Sequence, residues 1–306
     1  TASGATPSAG PSFWCKRPYA KPGRLSACWT GARGEWAVQV LVLGATGFIG
    51  GHIARAALAR NWHVRALRRR PDAVGALGNV AGQVEWVPGE LPFDHPGSPN
   101  LRETMRGCEV VFHAAAAYPR AERDAARWTS QSVTQIRAVL QAARDAGARR
   151  FVYTSTLSTI GRSSDPTRLA DERDFYVPGT ARSVYYEAKF AMEMEAWRAA
   201  AEGQPIVILV PTAVFGPGDI KPTTGEALLR VAKSQLPAYF DATLNAVDVR
   251  EVAAPFEARP VGIYPLAHPS LIRLAHRVDK ADQLVGLVGL SMRAERGVHR
   301  CKICLA

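Results

Sequence analysis

The sequence has few of the features that mark membrane and secreted proteins. No continuous apolar run approaches the roughly 20 residues that a membrane-spanning helix requires. Five cysteines in 306 residues are too few and too scattered for a disulfide scaffold. These absences argue against a membrane span and against a small disulfide-stabilised domain, and we expect a cytoplasmic protein.

The first 36 residues also lack a pattern. They are rich in Gly, Pro, Ser and Ala, show no periodicity, and contain no apolar segment of the kind found in signal peptides. We expect residues 1–36 to be a disordered or spurious extension. Because the segment is basic and poor in acidic residues, a transit peptide is the alternative.

Acidic residues are outnumbered by basic ones. Lysine and arginine number 38 against 27 aspartates and glutamates, which gives a formal charge of +11. A nucleic-acid-binding protein has this balance, but no nucleic-acid motif accompanies it. Basic patches also bind phosphate-bearing cofactors, so we predict no nucleic-acid partner.

A metal site is suggested only by Cys301, Cys304 and the nearby His299. A structural zinc site needs four ligands, usually in two pairs, and no second pair lies close in the sequence. We predict no metal.

From Val38 onward, apolar strand patterns alternate with helical ones. This alternation predicts an α/β fold, a Rossmann-type doubly wound parallel sheet over residues 37–252. The predicted strands are 38–43, 63–67, 83–87, 109–113, 150–155 and 205–210, and the predicted helices are 49–60, 101–106, 132–146 and 184–201.

Three glycines, Gly44, Gly47 and Gly50, follow the first predicted strand and open the first predicted helix. In such a unit the first glycine permits a tight turn, the second lets a pyrophosphate approach the backbone, and the third lets helix and strand pack closely. The helix N-terminus then faces the phosphates. The pattern predicts dinucleotide binding; a tight turn without a ligand is the alternative.

The end of the second predicted strand bears on which nucleotide binds. An acidic residue there would accept hydrogen bonds from the 2′-hydroxyl of NAD, but this chain has Arg68, Arg69 and Arg70. Guanidinium groups suit the 2′-phosphate of NADP. We therefore predict NADP, with NAD as the alternative and a solvated basic turn as the interpretation without a ligand.

Tyr185 and Lys189 are four residues apart on a predicted helix and share one face. An ammonium group near a phenol stabilises the phenolate, which would let Tyr185 exchange a proton near neutral pH. Tyr186 has Phe190 at the equivalent spacing and lacks such a partner. Thr156 follows a predicted strand, at the edge where ligands of open α/β sheets bind.

These motifs together resemble the extended short-chain dehydrogenases/reductases, the NAD(P)-dependent epimerase/dehydratase group. Within that group the chain is most similar to the dihydroflavonol-reductase-like branch, which includes hopanoid-associated sugar epimerases. The matching motifs are GATGFIG (44–50), HAAA (113–116), YTST (153–156), YYEAK (185–189), PTAVFGPGD (211–219) and LPAY (236–239).

The resemblance implies site roles. Thr156, Tyr185 and Lys189 fall on the catalytic Ser/Thr, Tyr and Lys, and Tyr185 and Lys189 also contact the cofactor. The remaining implied cofactor contacts are Gly44, Ala45, Thr46, Gly47, Phe48, Ile49, Gly50, Arg68, Arg69, Glu90, Leu91, Ala114, Ala115, Ala116, Pro211 and Val214.

Two departures from the family pattern stand out. Ser132 occupies the position of an Asn that helps to hold a proton-relay water. Residues 253–306 are expected to form an atypical, truncated substrate lobe. Within them, 261–278 resembles the strand and helix that follow in the family.

Three functions are consistent with these features. The first is hydride transfer between NADP(H) and a carbonyl or hydroxyl of a small-molecule substrate, as in dihydroflavonol 4-reductases. The second is epimerisation or dehydration of a nucleotide sugar. The third is a non-catalytic NADP(H)-binding sensor. The sequence does not name the substrate, and the resemblance implies a homodimer formed through two long helices as one option.

Overall fold

The structure is a computed structural model. It describes residues 38–89, 91, 100–115, 125–165, 170–171, 173–220, 225–226, 229–230, 233, 235, 242–253, 262–266, 271–274, 289–295 and 298–304. The predicted extension 1–36 lies outside the described residues, as do two of the expected cofactor contacts, Glu90 and Ala116.

A seven-stranded sheet forms the centre of the fold. Its strands are β1 Gln39–Leu43, β2 His63–Arg68, β3 Glu85–Pro88, β4 Val110–His113, β5 Arg150–Thr154, β6 Ile206–Pro211 and β9 Gly262–Leu266. Their order is β3-β2-β1-β4-β5-β6-β9, and all neighbours pair in parallel. The chain therefore winds outward from β1 to β3 and then crosses back to β4, as a doubly wound sheet does.

Helices cover both faces of this sheet. The described α-helices are α1 Phe48–Leu58, α2 Leu101–Met105, α3 Ala125–Asp145, α4 Val184–Ala201 and α5 Val249–Ala253. The first face carries α1, α5 and a 3-10 helix at Gly75–Gln83 that is interrupted by a kink at Gly78, and the second carries α2, α3 and α4. None of the helices in the described part of the chain is long and apolar enough to cross a bilayer.

Strand β1 shows how the apolar run gives two hydrophobic cores. Val40 and Val42 pack under α1, whereas Leu41 and Leu43 pack under α2, α3 and α4. All four side chains are fully buried. Since successive side chains of a strand point to opposite faces, only a continuous apolar run can fill both cores.

The remaining strands form smaller sheets. β7 Ala213–Phe215 pairs in parallel with β8 Ala242–Asp248, which pairs antiparallel with β10 Leu271–Leu274. The other pair is a hairpin, β11 Gly289–Glu295 with β12 Val298–Cys304.

Most predicted elements are present, with two differences. The helix predicted from Ser132 begins seven residues earlier, at Ala125, because Ala125–Trp128 contains no helix breaker. The helix expected after the 262–266 strand is wrong: Leu271–Leu274 is a strand. A short apolar segment such as Leu271–Leu274 is compatible with a helix or a strand, and here its pairing with β8 makes it a strand. The sheet also continues beyond residue 252, because β9 belongs to it. The predicted limits of the Rossmann-type domain, residues 37–252, stay a prediction.

Candidate active site

The turn between β1 and α1 presents bare backbone. Gly47 precedes the helix in an extended conformation, and its N–H donates to the Gly44 carbonyl at 2.8 Å. No side chain caps this helix N-terminus, and its first turn contains no acidic residue. The unpaired amides of a helix N-terminus, with the positive end of its dipole, attract an anion such as a phosphate.

Close backbone contacts exclude a side chain at two positions of this turn, Gly44 and Gly50. Gly44 has a φ of +93°, and a Cβ there would lie 2.8 Å from the backbone of Ala114 and Ala115. A Cβ on Gly50 would lie 2.6 Å from the carbonyl carbon of Gly44. Gly44 therefore lies directly against Ala114 and Ala115, the two described alanines of the predicted contacts after β4.

The 3-10 helix Gly75–Gln83 braces the turn from the other side. Gly75, with a φ of +54°, approaches Thr46 so closely that a Cβ would lie 2.6 Å from its carbonyl carbon. Arg55 of α1 donates from Nε to the Ala76 carbonyl at 2.8 Å. The turn thus has fixed neighbours on both flanks.

Arg68 and Arg69 occupy different environments at the end of β2. Arg68 is half-buried, and its guanidinium carbon lies 4.9 Å from the ring centre of Trp86 on β3. Arg69 is exposed beyond the strand. Leu91, another predicted cofactor contact, is half-buried against the core beneath α2, α3 and α4. No sequence motif pointed to Trp86.

Tyr185 and Lys189 lie on the first two turns of α4, beside the end of β5. Lys189 is only 7% exposed. Burial lowers the pKa of its ammonium from the usual 10.5 to about 8, and the negative charge of Glu193 opposes that shift. A lysine in this range can change its charge near neutral pH.

Glu193, one turn further along the same helix face, is a residue that the sequence analysis missed. It is 3% exposed and accepts a very short hydrogen bond from the hydroxyl of Ser155. Burial raises the pKa of its carboxyl group. The available signal was its spacing of four from Lys189, but that spacing alone does not show burial.

His113 and Tyr153 lie on neighbouring strands next to Lys189. Their ring centres are 5.7 Å apart, and the Lys189 Nζ lies 5.8 Å from the Tyr153 ring centre. Both ring nitrogens of His113 and the Tyr153 hydroxyl are buried without a hydrogen-bond partner among the described residues. Burial, assisted by the Lys189 charge, lowers the pKa of His113 to about 3, so this histidine is neutral.

Thr156 caps the short 3-10 helix Leu157–Thr159 that follows β5. Its Oγ1 accepts from the Ser158 N–H at 3.4 Å, and its carbonyl accepts from the Thr159 hydroxyl at 2.8 Å. The side chain is half-buried, which leaves it partly open at the carboxyl edge of the sheet. Of the residues predicted after β6, Pro211 is buried at the strand end, and Val214 packs against the first core.

The glycine turn, Thr156 and the Tyr185–Lys189 face all belong to the carboxyl edge of one parallel sheet. A model of the NAD dependent epimerase/dehydratase family matches residues 40–238 of this chain. The chain belongs to that family. The matched region contains the turn after β1, the end of β5 and helix α4.

Proteins similar to this chain include some that are named as reductases and some that are named as epimerases. A protein from Synechocystis sp. that carries the provisional name dihydroflavonol 4-reductase is 39% identical to this chain. The match covers 70% of this chain and 60% of the length of that relative. The chain thus spans less than two thirds of that relative.

Solved structures that are similar to this chain share its fold. The crystal structure of gox2253 is 30% identical, with a TM-score of 0.65 over 78% of this chain and 71% of its own. That of PA4631, a nucleoside-diphosphate-sugar epimerase from Pseudomonas aeruginosa, is 26% identical. Its TM-score is 0.64, over 78% of this chain and 74% of its own.

Proposed function

We propose that this family member binds NADP(H) and transfers a hydride between it and a carbonyl or hydroxyl carbon of a small molecule. The observation that carries the proposal is a juxtaposition at one sheet edge. An uncapped helix N-terminus follows a turn that has no room for a side chain at Gly44 or Gly50, and a buried lysine lies one helical turn from a tyrosine on α4. The provisional reductase name of the Synechocystis relative favours the same reaction.

The residues present fit a dinucleotide. Gly47 is exposed and has no side chain, so the backbone is accessible at this point of the turn. The backbone of residues Gly44–Gly50 would hold the pyrophosphate, with Ala114 and Ala115 beside it. Arg68 and Arg69 would meet the 2′-phosphate, and Leu91 would lie towards the adenine. Pro211 and Val214 would border the nicotinamide, which when bound supplies or accepts the hydride.

Two side chains would act on the substrate oxygen, and a third would support them. Thr156 would hydrogen-bond it and fix its position. Tyr185 would give a proton to that oxygen during reduction, or take one during oxidation. Lys189, positively charged below a pH of about 8, would favour the phenolate and orient the ribose. Its burial is consistent with this role, because a charge acts more strongly when water is excluded.

NADP is proposed over NAD because Arg68 ends β2 and Arg69 follows it, with no acidic residue at either position. The half-buried Arg68 supports this choice, because a guanidinium group can donate hydrogen bonds to phosphate oxygens. NAD remains the alternative, and the family name itself refers to NAD.

Epimerisation or dehydration of a nucleotide sugar is the second candidate, supported by the name of the PA4631 structure. A reductase consumes NADPH in proportion to product, whereas an epimerase does not. Measuring NADPH absorbance together with product formation, on panels of aldehydes, ketones and nucleotide sugars, distinguishes the two.

The decisive variant is Tyr185→Phe, which removes the hydroxyl and leaves the ring. We expect kcat to fall by about 10²- to 10⁴-fold with NADPH affinity and Tm nearly unchanged. Tyr186→Phe is the matched control, because Tyr186 is 37% exposed on the neighbouring helix position. Equal activity in wild type and Tyr185→Phe would contradict the proposed chemistry. NADPH binding with no turnover in the wild type on either panel would favour the sensor.

Helices α3 and α4 are the proposed homodimer surface. Within the chain, the two helices are joined by the ion pairs Arg137–Glu195 at 2.6 Å and Arg144–Glu202 at 3.0 Å, and both arginine side chains are exposed. Sedimentation of the wild type against a double charge-reversal variant of Arg137 and Arg144 tests this proposal. A wild type that sediments as a monomer at high concentration would contradict it.

A further inference from the structure

We propose that Trp86 is a positioning residue for cofactor choice, holding the Arg68 guanidinium where a 2′-phosphate would bind. The inference rests on the proposed NADP(H) site. It concerns how Arg68 is oriented, which the arginine pattern in the sequence does not address.

The two side chains meet because of the register between β2 and β3. Ala66 lies opposite Trp86 in this parallel pair, and Arg68, two residues further, points to the same face as Ala66. Ala66 and Trp86 pack into the core beneath α1. The guanidinium carbon of Arg68 lies 4.9 Å from the Trp86 ring centre, within cation–π distance. Arg68 therefore shares the sheet face of the glycine turn.

The indole ring is itself fixed. Its Nε1 donates at 2.9 Å to the Ala81 carbonyl, which lies after the kink at Gly78 in the 75–83 segment. Arg55 of α1 binds this segment on both sides of the kink, through the Ala76 carbonyl at 2.8 Å and the Asn79 side chain at 3.2 Å. A chain of contacts thus connects α1 to the surface against which Arg68 lies.

Stacking suits phosphate recognition for a geometric reason. The indole contacts the face of the planar guanidinium, whereas phosphate oxygens bind the N–H groups at its edge. A stacked arginine can therefore make both interactions at once. Because its side chain is already ordered, less conformational entropy is lost when the phosphate binds.

The experiment is calorimetric titration of the full chain with NADP⁺ and, separately, with NAD⁺. Arg68→Ala should weaken NADP⁺ binding by about 10- to 100-fold, since a charge-assisted hydrogen bond is lost. Trp86→Leu should weaken it by about 3- to 10-fold, the range of a cation–π contact. Neither variant should change NAD⁺ affinity more than about 2-fold, because NAD⁺ lacks the 2′-phosphate.

Two further variants separate positioning from packing. Trp86→Phe keeps an aromatic face without the indole hydrogen bond, and its NADP⁺ affinity should lie between those of wild type and Trp86→Leu. It also serves if Trp86→Leu does not fold. Arg70→Ala is the matched control: it removes the same charge from an exposed residue outside the proposed contacts and should weaken NADP⁺ binding less than Arg68→Ala does.

The outcomes are distinct. NADP⁺ selectivity that falls in the order wild type, Trp86→Phe, Trp86→Leu supports the proposal. Equal loss of NADP⁺ and NAD⁺ affinity in the Trp86 variants would show that the ring serves packing only, and would overturn the proposal while leaving the cofactor site intact. Wild-type protein that binds neither nucleotide would overturn the proposed function, and this inference with it.

Discussion

The glycine turn after β1 and the inner face of α4 lie at the same edge of the sheet but are built in opposite ways. The turn relies on backbone alone: its residues approach one another closely, and no side chain caps the helix that follows. The α4 face relies on charged groups removed from water, with Lys189 and Glu193 both nearly inaccessible.

This contrast determines how each region responds to change. An added carbon atom disrupts the turn, because its neighbours are backbone atoms that cannot rotate away. A lost charge disrupts the α4 face, because a buried ion without its partner is costly. Substitutions of each kind therefore test the two halves of the site separately.

Gly50→Ala should have the largest effect. The new Cβ would lie 2.6 Å from the Gly44 carbonyl carbon, so the turn must move. We expect a loss of about 3 kcal/mol in the free energy of unfolding and at least about 100-fold weaker NADP⁺ binding. Gly82→Ala is the matched control, since a Cβ on Gly82 would meet no atom of the described residues within 4 Å. Denaturant unfolding measures the stability of both variants, and equal stabilities would contradict the steric account.

His113→Leu should change the response to acid. In the unfolded chain this histidine takes up a proton near its usual pKa of 6.5, whereas in the folded protein it stays neutral down to about 3. The wild type therefore loses stability as the pH falls below 6.5, by about 2 kcal/mol from this residue at about pH 5. The leucine variant should lack that loss.

The control for that measurement is His63→Gln, on the partly exposed histidine 3.6 Å from Glu85. It should keep the acid sensitivity of the wild type. Identical pH dependence in wild type and His113→Leu would show that His113 is not held neutral.

Glu193→Gln should have a smaller effect, confined to the α4 face. Gln can still accept the Ser155 hydrogen bond, but the charge that opposes the lowering of the Lys189 pKa is gone. The pKa of Lys189 should therefore fall below about 8. At a pH of about 8 the proposed activity should drop by about 10-fold, and it should recover partly in a more acid buffer, in which Lys189 is protonated again. A pH–rate profile of the wild-type shape would rule out this coupling.

The smallest effect is expected at an exposed ion pair away from the proposed homodimer surface. Glu103 of α2 and Arg106, just after that helix, are 2.6 Å apart, and both side chains are exposed. Arg106→Ala should change the free energy of unfolding by less than about 0.5 kcal/mol, because exposed ion pairs contribute little. Thermal unfolding checks this, and a shift as large as that of Gly50→Ala would contradict the contrast.

The sequence predicted local features of the fold well. The continuous apolar run before Gly44 predicted β1, and helix α4 begins and ends as expected, at Val184 and Ala201. Family membership confirmed the resemblance drawn from the GATGFIG and YYEAK motifs. These features are readable because each depends on residues that are close together in the chain.

Contacts between distant residues were not predictable in this way. Ser155 and Glu193 are 38 positions apart, and only the packing of α4 on β5 brings them together. Arg68 reaches Trp86 through strand register, which the sequence does not specify. The strand at Leu271–Leu274 was expected to be a helix, because four apolar-rich residues fit both periods and pairing with β8 decides between them. The catalytic and cofactor roles themselves stay predictions.

The most direct test is a calorimetric titration of the wild-type chain with NADP⁺. The bare turn, the uncapped α1 N-terminus and the stacked Arg68 predict saturable binding at one site per chain, tighter than that of NAD⁺ under the same conditions. Absence of any binding heat, together with no protection of the protein against thermal unfolding by the nucleotide, would contradict the account.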